Sequence, residues 1–123
     1  MKILVVDDSK AMRTFLTHLL TTLGLGPVTV AEDGQHALEI LLESEAFDLA
    51  LVDWDMPRLD GLGLVKAVRS RPRFAELKLM MVTTQNSMDR VVGALEAGAT
   101  DYLMKPVTKE SLEDKLRVLG VVV

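Results

Sequence analysis

The sequence predicts a single α/β domain in which a parallel β-sheet is covered by helices on both faces. Three observations favour this fold: short apolar runs, segments of helical periodicity between them, and a length of 123 residues, which suits one domain. Strand and helix alternate five times along the chain. Because parallel strands are joined by right-handed crossovers, this alternation predicts a doubly wound sheet.

Four short apolar runs are predicted to be strands. They are too short for core helices, and the first two lack the polar alternation of a strand with one wet face, so we expect them to be covered on both sides. A fifth segment, residues 27–31, begins with proline and does alternate, which favours the edge of a sheet. The four apolar runs are residues 3–6, 49–52, 79–82 and 102–104.

Five segments between these strands have the spacing of amphipathic helices. The first lies between Ser9, a candidate N-cap, and Gly24, a candidate terminator. The fourth stops at Gly98, and the fifth starts near Thr108. The apolar positions that define the five helices are Met12, Phe15, Leu16, Leu19, Leu20 and Leu23; Ala37, Leu38, Leu41 and Leu42; Leu64, Val65 and Val68; Val91, Val92 and Leu95; and Leu112, Leu116 and Leu119.

Composition excludes several classes of function. With 14 Lys and Arg against 18 Asp and Glu, the net charge is −4, so no basic field exists to bind nucleic acid or an anionic membrane. The absence of cysteine excludes disulfides, zinc fingers, iron–sulfur clusters and thiol nucleophiles. No apolar segment approaches the ~20 residues that span a bilayer, and the first strand begins too early for a signal peptide. We therefore expect a soluble, cytoplasmic protein.

Chemically active side chains follow four of the predicted strands. Asp7 and Asp8 follow the first strand, Asp53 the third, Thr83 the fourth and Lys105 the fifth. Because parallel strands end at one edge of the sheet, and open α/β sheets bind ligands there, we expect these side chains to lie together. Three carboxylates about 5 Å apart would repel by roughly 3 kcal/mol per pair at an effective dielectric constant of ~20.

A divalent cation would compensate this repulsion, whereas Lys105 alone supplies one charge against three. Oxygen ligands without nearby His or Cys favour a hard ion such as Mg²⁺. With a metal bound, an aspartate can attack a phosphoryl group while the metal, Lys105 and the Thr83 hydroxyl stabilise the transferring oxygens. The residues themselves therefore predict phosphorylation of an aspartate.

Four motifs, each closing a predicted strand, together resemble the receiver domain of two-component response regulators. The similarity runs from Lys2 to about Leu119, and Trp54 and Tyr102 further resemble the CheY-type single-domain chemotaxis regulators. The resemblance implies one receiver domain over residues 1–123, with a flavodoxin-like (βα)5 sheet in the strand order 2-1-3-4-5. The motifs are Val5-Val6-Asp7-Asp8-Ser9, Asp53-Trp54-Asp55-Met56-Pro57 followed by Asp60-Gly61, Val82-Thr83-Thr84, and Tyr102-Leu103-Met104-Lys105-Pro106.

The resemblance assigns the acceptor and the metal ligands. It implies that Asp53 accepts a phosphoryl group, in a Mg²⁺-dependent reaction, from a histidine kinase or a histidine phosphotransfer protein. Asp8 would ligate Mg²⁺ directly and Asp7 mainly through water. Asp53 and the backbone carbonyl of Asp55 would complete the protein ligands. A domain of this kind is a signalling switch that catalyses only its own phosphorylation and dephosphorylation, and not an enzyme acting on other substrates.

The resemblance also assigns the switch and the output surface. Lys105 would pair with the phosphoryl oxygens, and the family commonly has a cis peptide at the position of Lys105 and Pro106. Thr83 would turn toward the phosphoryl group, and Tyr102 would follow inward. A downstream protein would then bind the face formed by the fourth helix, the fifth strand and the fifth helix.

Several residues depart from the family pattern or lie outside its chemistry. Thr84 is larger than the Ala, Gly or Ser that usually follows the switch threonine, and it would narrow access to the phosphoryl group. Asp55 and Gln85 occupy positions that tune hydrolysis in the family, so the lifetime of the phosphorylated state does not transfer. His18 and His36 fall within predicted helices as solvated residues, so a donor histidine belongs to another protein.

Each site residue has an ordinary structural interpretation when it is taken alone. Asp7 and Asp8 could stabilise the first turn of a helix, and Asp53 could be an acid in a turn. Thr83 could be a strand former, and Lys105 a solvated lysine before a turn. Four such coincidences at the ends of four strands favour the joint functional interpretation.

Two other functions share parts of this pattern. The Asp53-Trp54-Asp55 segment also suits a Mg²⁺-dependent phosphohydrolase of the haloacid-dehalogenase type, although the acidic pair precedes the nucleophile, Pro57 replaces the usual threonine, and little chain remains for a cap. A flavodoxin-like FMN carrier shares the predicted fold. Paired carboxylates after the first strand would repel the FMN phosphate, which argues against that carrier.

Overall fold

A five-stranded parallel sheet forms the centre of the computed structural model, which describes residues 1–44, 46–84, 88–121 and 123. The strand order is β2-β1-β3-β4-β5, so the predicted flavodoxin-like single domain is confirmed. The strands are β1 (Ile3–Val6), β2 (Val28–Ala31), β3 (Leu49–Asp53), β4 (Lys78–Thr84) and β5 (Asp101–Lys105).

Within the described ranges, five α-helices cover the two faces of the sheet. The first and fifth helices pack on one face, and the second, third and fourth pack on the other, which gives two separate apolar clusters. A short 3-10 helix (Pro72–Phe74) was not predicted from the sequence. The helices are α1 (Lys10–Thr22), α2 (Gly34–Glu43), α3 (Gly61–Arg69), α4 (Met88–Ala97) and α5 (Lys109–Val118). Among the described residues, no helix combines the length and the apolar character needed to cross a membrane.

Burial along the strands follows their place in the sheet. Every residue of β1 and β3 is buried, as expected for strands without polar alternation. β2 lies at one edge and is only partly covered, which confirms the edge position predicted for it. β4 extends beyond the predicted residues 79–82 because Lys78 still pairs with β3 at one end, and Thr83 and Thr84 still pair with β5 at the other.

The predicted helix boundaries are confirmed where a capping residue marked them. The Ser9 hydroxyl accepts a hydrogen bond from the Met12 N–H at 3.2 Å, and Thr108 caps α5 through the Ser111 N–H at 3.0 Å. Not every periodic apolar position enters the core, because several lie on the solvent side of their helices. The exposed positions among those predicted are Phe15, Leu42, Val92 and Leu95.

The strand register brings the chemical side chains to one edge of the sheet. Val6, directly before the acidic pair, is paired with Val52, directly before Asp53. On the other side, Asp53 is paired with Val82, directly before Thr83, and Thr84 is paired with Lys105. The carboxyl ends of four strands therefore meet where open α/β sheets bind ligands.

Candidate functional site

Three carboxylates converge at the carboxyl edge of the sheet. Asp7 and Asp8 follow β1, and Asp53 is the last residue of β3. One carboxylate oxygen of each lies within 4.8 Å of the others. At this separation the mutual repulsion is roughly 3 kcal/mol per pair at an effective dielectric constant of ~20, so the cluster is electrostatically costly without a cation.

Asp7 is the most enclosed of the three acids, with 1% of its surface exposed. Its Oδ1 accepts a hydrogen bond from the Ser9 N–H at 2.9 Å, and its backbone oxygen accepts one from Arg13 Nη1 at 2.8 Å. Its Oδ2 is buried and has no hydrogen-bond partner among the residues that the structure describes. A buried carboxylate oxygen without a donor is destabilising, and a cation at this position would remove that penalty.

Lys105 forms the opposite wall of the site from the end of β5. Its Nζ donates to Asp53 Oδ1 at 3.0 Å, and Asp53 itself is 7% exposed. Burial raises the pKa of Asp53, and repulsion by Asp7 and Asp8 adds to this, whereas Lys105 opposes the rise. Burial likewise raises the pKa of Asp7, against the hydrogen bond from Ser9. The raised pKa values mean that the negative charge of Asp7 and Asp53 is destabilised in the folded chain, and additional positive charge nearby would stabilise it.

The donor set fits a hard divalent cation. The three clustered carboxylates offer only oxygen ligands, and the backbone carbonyl of Asp55, which the resemblance implied as a further ligand, is an oxygen too. Asp8 is exposed whereas Asp7 and Asp53 are buried, so the site is open on the side of Asp8. Mg²⁺ is commonly held by a few carboxylates together with waters and phosphate oxygens, and an open side provides for both.

The Asp55 carboxylate lies outside this cluster and pairs with a residue of α4. Arg90 Nη1 donates to both of its oxygens, at 2.9 and 3.0 Å, and the Arg90 guanidinium lies 5.2 Å from the centroid of the Trp54 ring. Trp54 is 8% exposed, so the indole next to Asp53 in the sequence is covered. The pattern of the sequence did not predict Arg90, because nothing in a helical period marks which exposed cation reaches a loop 35 residues away.

Thr83 lies near the carboxyl edge, whereas Tyr102 is the second residue of β5 and pairs with Met81, farther from that edge. Thr83 is 4% exposed and follows the buried part of β4. Tyr102 is half-buried, and its ring lies 4.1 Å from Lys115 Nζ, which also donates to Asp101 at 3.0 Å. Tyr102 lines a groove of about 610 Å³ between β5 and α5. Of the two candidate switch residues, Thr83 is therefore buried near the carboxyl edge, and Tyr102 lines the groove between β5 and α5.

The remaining residues named from the sequence have mixed outcomes. The peptide between Lys105 and Pro106 is cis, as the resemblance implied. Thr84 is exposed at the end of β4, and Gln85 lies outside the described residues. His18 is exposed, but the expectation of a solvated side chain is wrong for His36, which is half-buried and accepts a hydrogen bond from the Glu32 N–H at 3.3 Å.

A second acidic contact near the site was also missed. Asp33 is 3% exposed and is paired with Arg58, whose Nη2 lies 2.7 Å from Asp33 Oδ2. The position of Asp33 after β2 repeats the pattern that identified the other strand-end acids, and this signal could have drawn attention to it. No comparable signal marks Arg58, which is an exposed residue of a loop.

Comparisons with known proteins agree with the geometry. A model of the response regulator receiver domain family matches residues 3–117. The chain is similar to a "Chemotaxis protein CheY homolog" of Campylobacter jejuni, with 42% identity over 121 residues that cover 98% of this chain and 93% of that protein. It is also similar to "Chemotaxis protein CheY1" of Helicobacter pylori, with 43% identity over 119 residues that cover 97% and 96% of the two chains.

Two solved structures illustrate the similarity in fold. The chemotaxis response regulator CheY4 of Vibrio cholerae superimposes with a TM-score of 0.87 at 34% identity, covering 96% of this chain and 97% of that one. A response regulator from Chloroflexus aurantiacus, described as putative, superimposes with a TM-score of 0.88 at 31% identity, covering 97% of each chain. Both neighbours therefore share the whole fold at an identity that also supports common ancestry.

Proposed function

The chain belongs to the response regulator receiver domain family, and from this premise we propose that residues 1–123 form one receiver domain phosphorylated on Asp53. CheY-type receiver domains are phosphorylation-dependent signalling proteins rather than conventional enzymes. One observation carries the proposal: three carboxylates each place an oxygen within 4.8 Å of the others, Asp7 Oδ2 has no hydrogen-bond partner among the described residues, and Lys105 Nζ donates to Asp53.

Asp53 is the proposed nucleophile. Its carboxylate oxygen attacks the phosphorus of a phosphohistidine on a histidine kinase or a histidine phosphotransfer protein. A P–O bond to Asp53 forms while the P–N bond to the donor imidazole breaks, and the imidazole nitrogen keeps the bonding electron pair and takes up a proton. Lys105, already 3.0 Å from Asp53 Oδ1, is placed to neutralise charge on the transferring oxygens.

Mg²⁺ is the proposed cofactor, since receiver domains bind this ion through an acidic pocket. Asp8 and Asp53 would hold it directly, Asp7 mainly through water, and the backbone carbonyl of Asp55 would complete the protein ligands. The bound ion supplies positive charge for the phosphoryl oxygens. The unpartnered Oδ2 of Asp7 and the raised pKa values of Asp7 and Asp53, which burial causes, both favour a cation at this site.

The switch is proposed to run through Thr83 and Tyr102. The Thr83 hydroxyl, at the end of β4, would donate to the phosphoryl group on the neighbouring strand. Its movement would open space for the Tyr102 ring, which now lies half-buried beside Lys115. The phosphoryl group would thereby select one of two conformers.

The proposed output surface is formed by α4, β5 and α5. Three apolar side chains on α4 are exposed at spacings of four and three residues: Met88 at 51%, Val92 at 50% and Leu95 at 40%. On α5, Val118 is 76% exposed and lines the groove beside Tyr102. Exposed apolar side chains next to a candidate switch suit a protein partner better than solvent.

Signalling in chemotaxis, from a cytoplasmic location, is the proposed biological setting. The support comes from the relatives, several of which are named chemotaxis proteins and match this chain over at least 93% of their own length. A partner phosphohistidine protein would supply the phosphoryl group, and neither nucleic acid nor a membrane is proposed as a partner.

The phosphohydrolase alternative is not favoured. The family match covers the chain from residue 3 to residue 117, and the acidic pair precedes the acceptor in the order typical of receivers. An FMN carrier would have to place a phosphate close to Asp7 and Asp8, against their charge. The two alternatives are therefore set aside in favour of the receiver.

The direct test is incubation with acetyl phosphate and Mg²⁺, followed by intact-mass measurement and peptide mapping. We expect one slowly decaying phosphoryl adduct on Asp53 and none in Asp53→Asn. Asp55→Asn is the matched control, because it removes the same charge two residues along yet retains the backbone carbonyl, and it is expected to form the adduct. An adduct that persists in Asp53→Asn, or rapid turnover of many phosphate esters, would contradict the proposal.

A further inference from the structure

The loop between β3 and α3 carries the Asp55 carbonyl, and the ion pair of the Asp55 side chain with Arg90 is solvent-exposed, so it holds the loop only weakly. The Asp55 side chain is 75% exposed. The loop is closed at its base, where the Gly61 N–H donates to the Trp54 oxygen at 2.8 Å. A Cβ at position 61 would lie 2.6 Å from the backbone oxygen of Asp53, so only glycine allows the backbone at position 61 to come this close to the end of β3. This contact fixes the ends of the loop but not its middle.

The middle of the loop is held in an uncommon conformation at Arg58. Its φ angle is +67°, which is the left-handed region that residues with a side chain rarely adopt. The Leu59 N–H donates to the Pro57 oxygen at 2.7 Å, so Arg58 is the central residue of a three-residue turn. A turn of this kind with positive φ is strained, and it persists only where surrounding contacts determine it.

Those contacts come from the start of α2. Arg58 donates to Asp33 Oδ2 from Nε at 2.8 Å, and its Nη2 lies 2.7 Å from the same oxygen. The next residue, Leu59, accepts a hydrogen bond from the Gly34 N–H at 3.0 Å, and Gly34 has no room for a side chain against Leu59. The strained turn is therefore docked on α2 by one ion pair and one backbone hydrogen bond.

Asp33 is a rigid anchor for this contact. It is 3% exposed, and its Oδ1 accepts from the His36 N–H at 2.8 Å as the N-cap of α2. Burial alone would raise the pKa of Asp33, but the bonds from His36 and Arg58 outweigh burial and lower it. The carboxylate therefore stays charged and in a single position.

From these contacts we propose that Arg58 is a positioning residue for Mg²⁺ binding, acting through the loop that carries the Asp55 carbonyl. Asp33 and Arg58 would hold the loop in the conformation that this carbonyl needs in order to join the three carboxylates as a ligand, before the ion arrives. Ligands held in place beforehand bind a metal more tightly than ligands that must be ordered at binding. The inference rests on the proposed function, because it takes Asp55 as a ligand.

The test is a Mg²⁺ titration followed by the fluorescence of Trp54, the only tryptophan of the chain, with calorimetry as a second readout. The main variant combines Arg58→Gly with Asp33→Asn. Glycine adopts the positive φ without strain, and asparagine still caps α2 without leaving a buried charge unpaired. We expect the dissociation constant for Mg²⁺ to rise about 10-fold, as is typical when outer contacts of a metal site are removed. At saturating Mg²⁺ the phosphorylation rate is expected to return to the wild-type value.

Two further variants separate positioning from loss of stability. Val68→Ala opens a cavity in the buried core of α3 away from the loop, and its Mg²⁺ affinity is expected to equal that of wild type. Arg58→Lys retains one cation for Asp33 and is expected to bind with intermediate affinity. If the double variant does not fold, Arg58→Lys decides the question: weaker binding supports the inference, and unchanged binding overturns it.

The outcomes distinguish this inference from the proposed function. If wild type binds Mg²⁺ and is phosphorylated on Asp53 while the double variant binds equally well, only the role of Arg58 is overturned. The same conclusion follows if Val68→Ala weakens Mg²⁺ binding as much as the double variant does. If wild type itself neither binds Mg²⁺ nor accepts phosphate, the proposed function fails.

Discussion

The two edges of the sheet differ in how their charged side chains are satisfied. At the amino edge, Arg69 at the end of α3 is half-buried, and burial lowers its pKa. Its guanidinium nevertheless has well-placed acceptors: Nε donates to the Gly98 oxygen at 2.8 Å, Nη1 to the Phe74 oxygen at 2.8 Å and Nη2 to the Leu77 oxygen at 2.7 Å. The guanidinium links three backbone segments by hydrogen bonds, and these bonds compensate its burial without a bound ligand.

The carboxyl edge has the opposite arrangement. Two buried carboxylates and one exposed carboxylate each place an oxygen within 4.8 Å of the others, and Lys105 donates to Asp53. In the described part of the chain, Asp7 Oδ2 has no donor. Burial that is fully compensated by hydrogen bonds indicates a structural role, as at Arg69. Buried carboxylates whose charge is not compensated within the protein indicate a binding site for a cation. This difference separates the functional edge from the structural one.

The largest effect on stability is expected at the amino edge. Arg69→Met should lower the free energy of unfolding by about 3 kcal/mol, because several buried carbonyl oxygens lose their donors. The affinity for Mg²⁺ should not change. Urea denaturation and a Mg²⁺ titration of the same variant check both statements. A loss of Mg²⁺ affinity as large as the loss of stability would remove the distinction between the edges.

Removing a charge at the carboxyl edge is expected to raise the free energy of unfolding rather than lower it. Without Mg²⁺, Asp7→Asn should raise the free energy of unfolding by about 1 kcal/mol, because part of the repulsion within the cluster is removed. With Mg²⁺ present, wild type should be stabilised and Asp7→Asn should gain much less. Urea denaturation in EDTA and in saturating Mg²⁺ gives the comparison. A metal-free Asp7→Asn that is less stable than wild type would indicate that the carboxylate is structural.

The same cluster predicts a dependence on pH. Burial raises the pKa of Asp7 and of Asp53 above the ordinary value of 3.8, so the folded chain binds protons more tightly than the unfolded chain. The stability that these groups contribute is present below about pH 4 and is lost as the pH rises through the raised pKa values. The advantage of Asp7→Asn over metal-free wild type should therefore be small near pH 4 and increase toward pH 7. An advantage that is independent of pH would contradict this assignment.

The smallest effect is expected at the exposed ion pair of the carboxyl edge. Arg90 and Asp55 retain 44% and 75% of their side-chain exposure, so their attraction is screened by solvent. Arg90→Met should change the free energy of unfolding by no more than about 0.5 kcal/mol, and added salt should reduce the change further. A loss comparable to that of Arg69→Met would show that exposure is a poor guide to the role of these charges.

Much of the fold could be predicted because parallel α/β sheets leave a clear trace in sequence. Uninterrupted apolar runs identified β1 and most of β3, since strands buried on both faces have no polar alternation. The capping residues Ser9 and Thr108 located two helix starts. The extra length of β4 could not be predicted, because it depends on pairing with neighbours on both sides.

The candidate site, too, could be predicted from the sequence only in part. The convergence of Asp7, Asp8 and Asp53 followed from their places after strands, because a parallel sheet converts position in the sequence into position in space. The contacts of Arg58 and Arg90 did not follow, since long side chains from a loop and a helix reach partners 25 and 35 residues away. Such contacts depend on how separate segments pack against each other.

The most direct measurement of the central claim is a Mg²⁺ titration of metal-free wild type followed by Trp54 fluorescence, with Asp8→Ala in parallel. If the uncompensated carboxylates form a metal site, wild type should show a saturable change in fluorescence, and Asp8→Ala should show none. Wild type that does not respond to Mg²⁺ by fluorescence or calorimetry, or an Asp8→Ala variant that binds with unchanged affinity, would contradict the account.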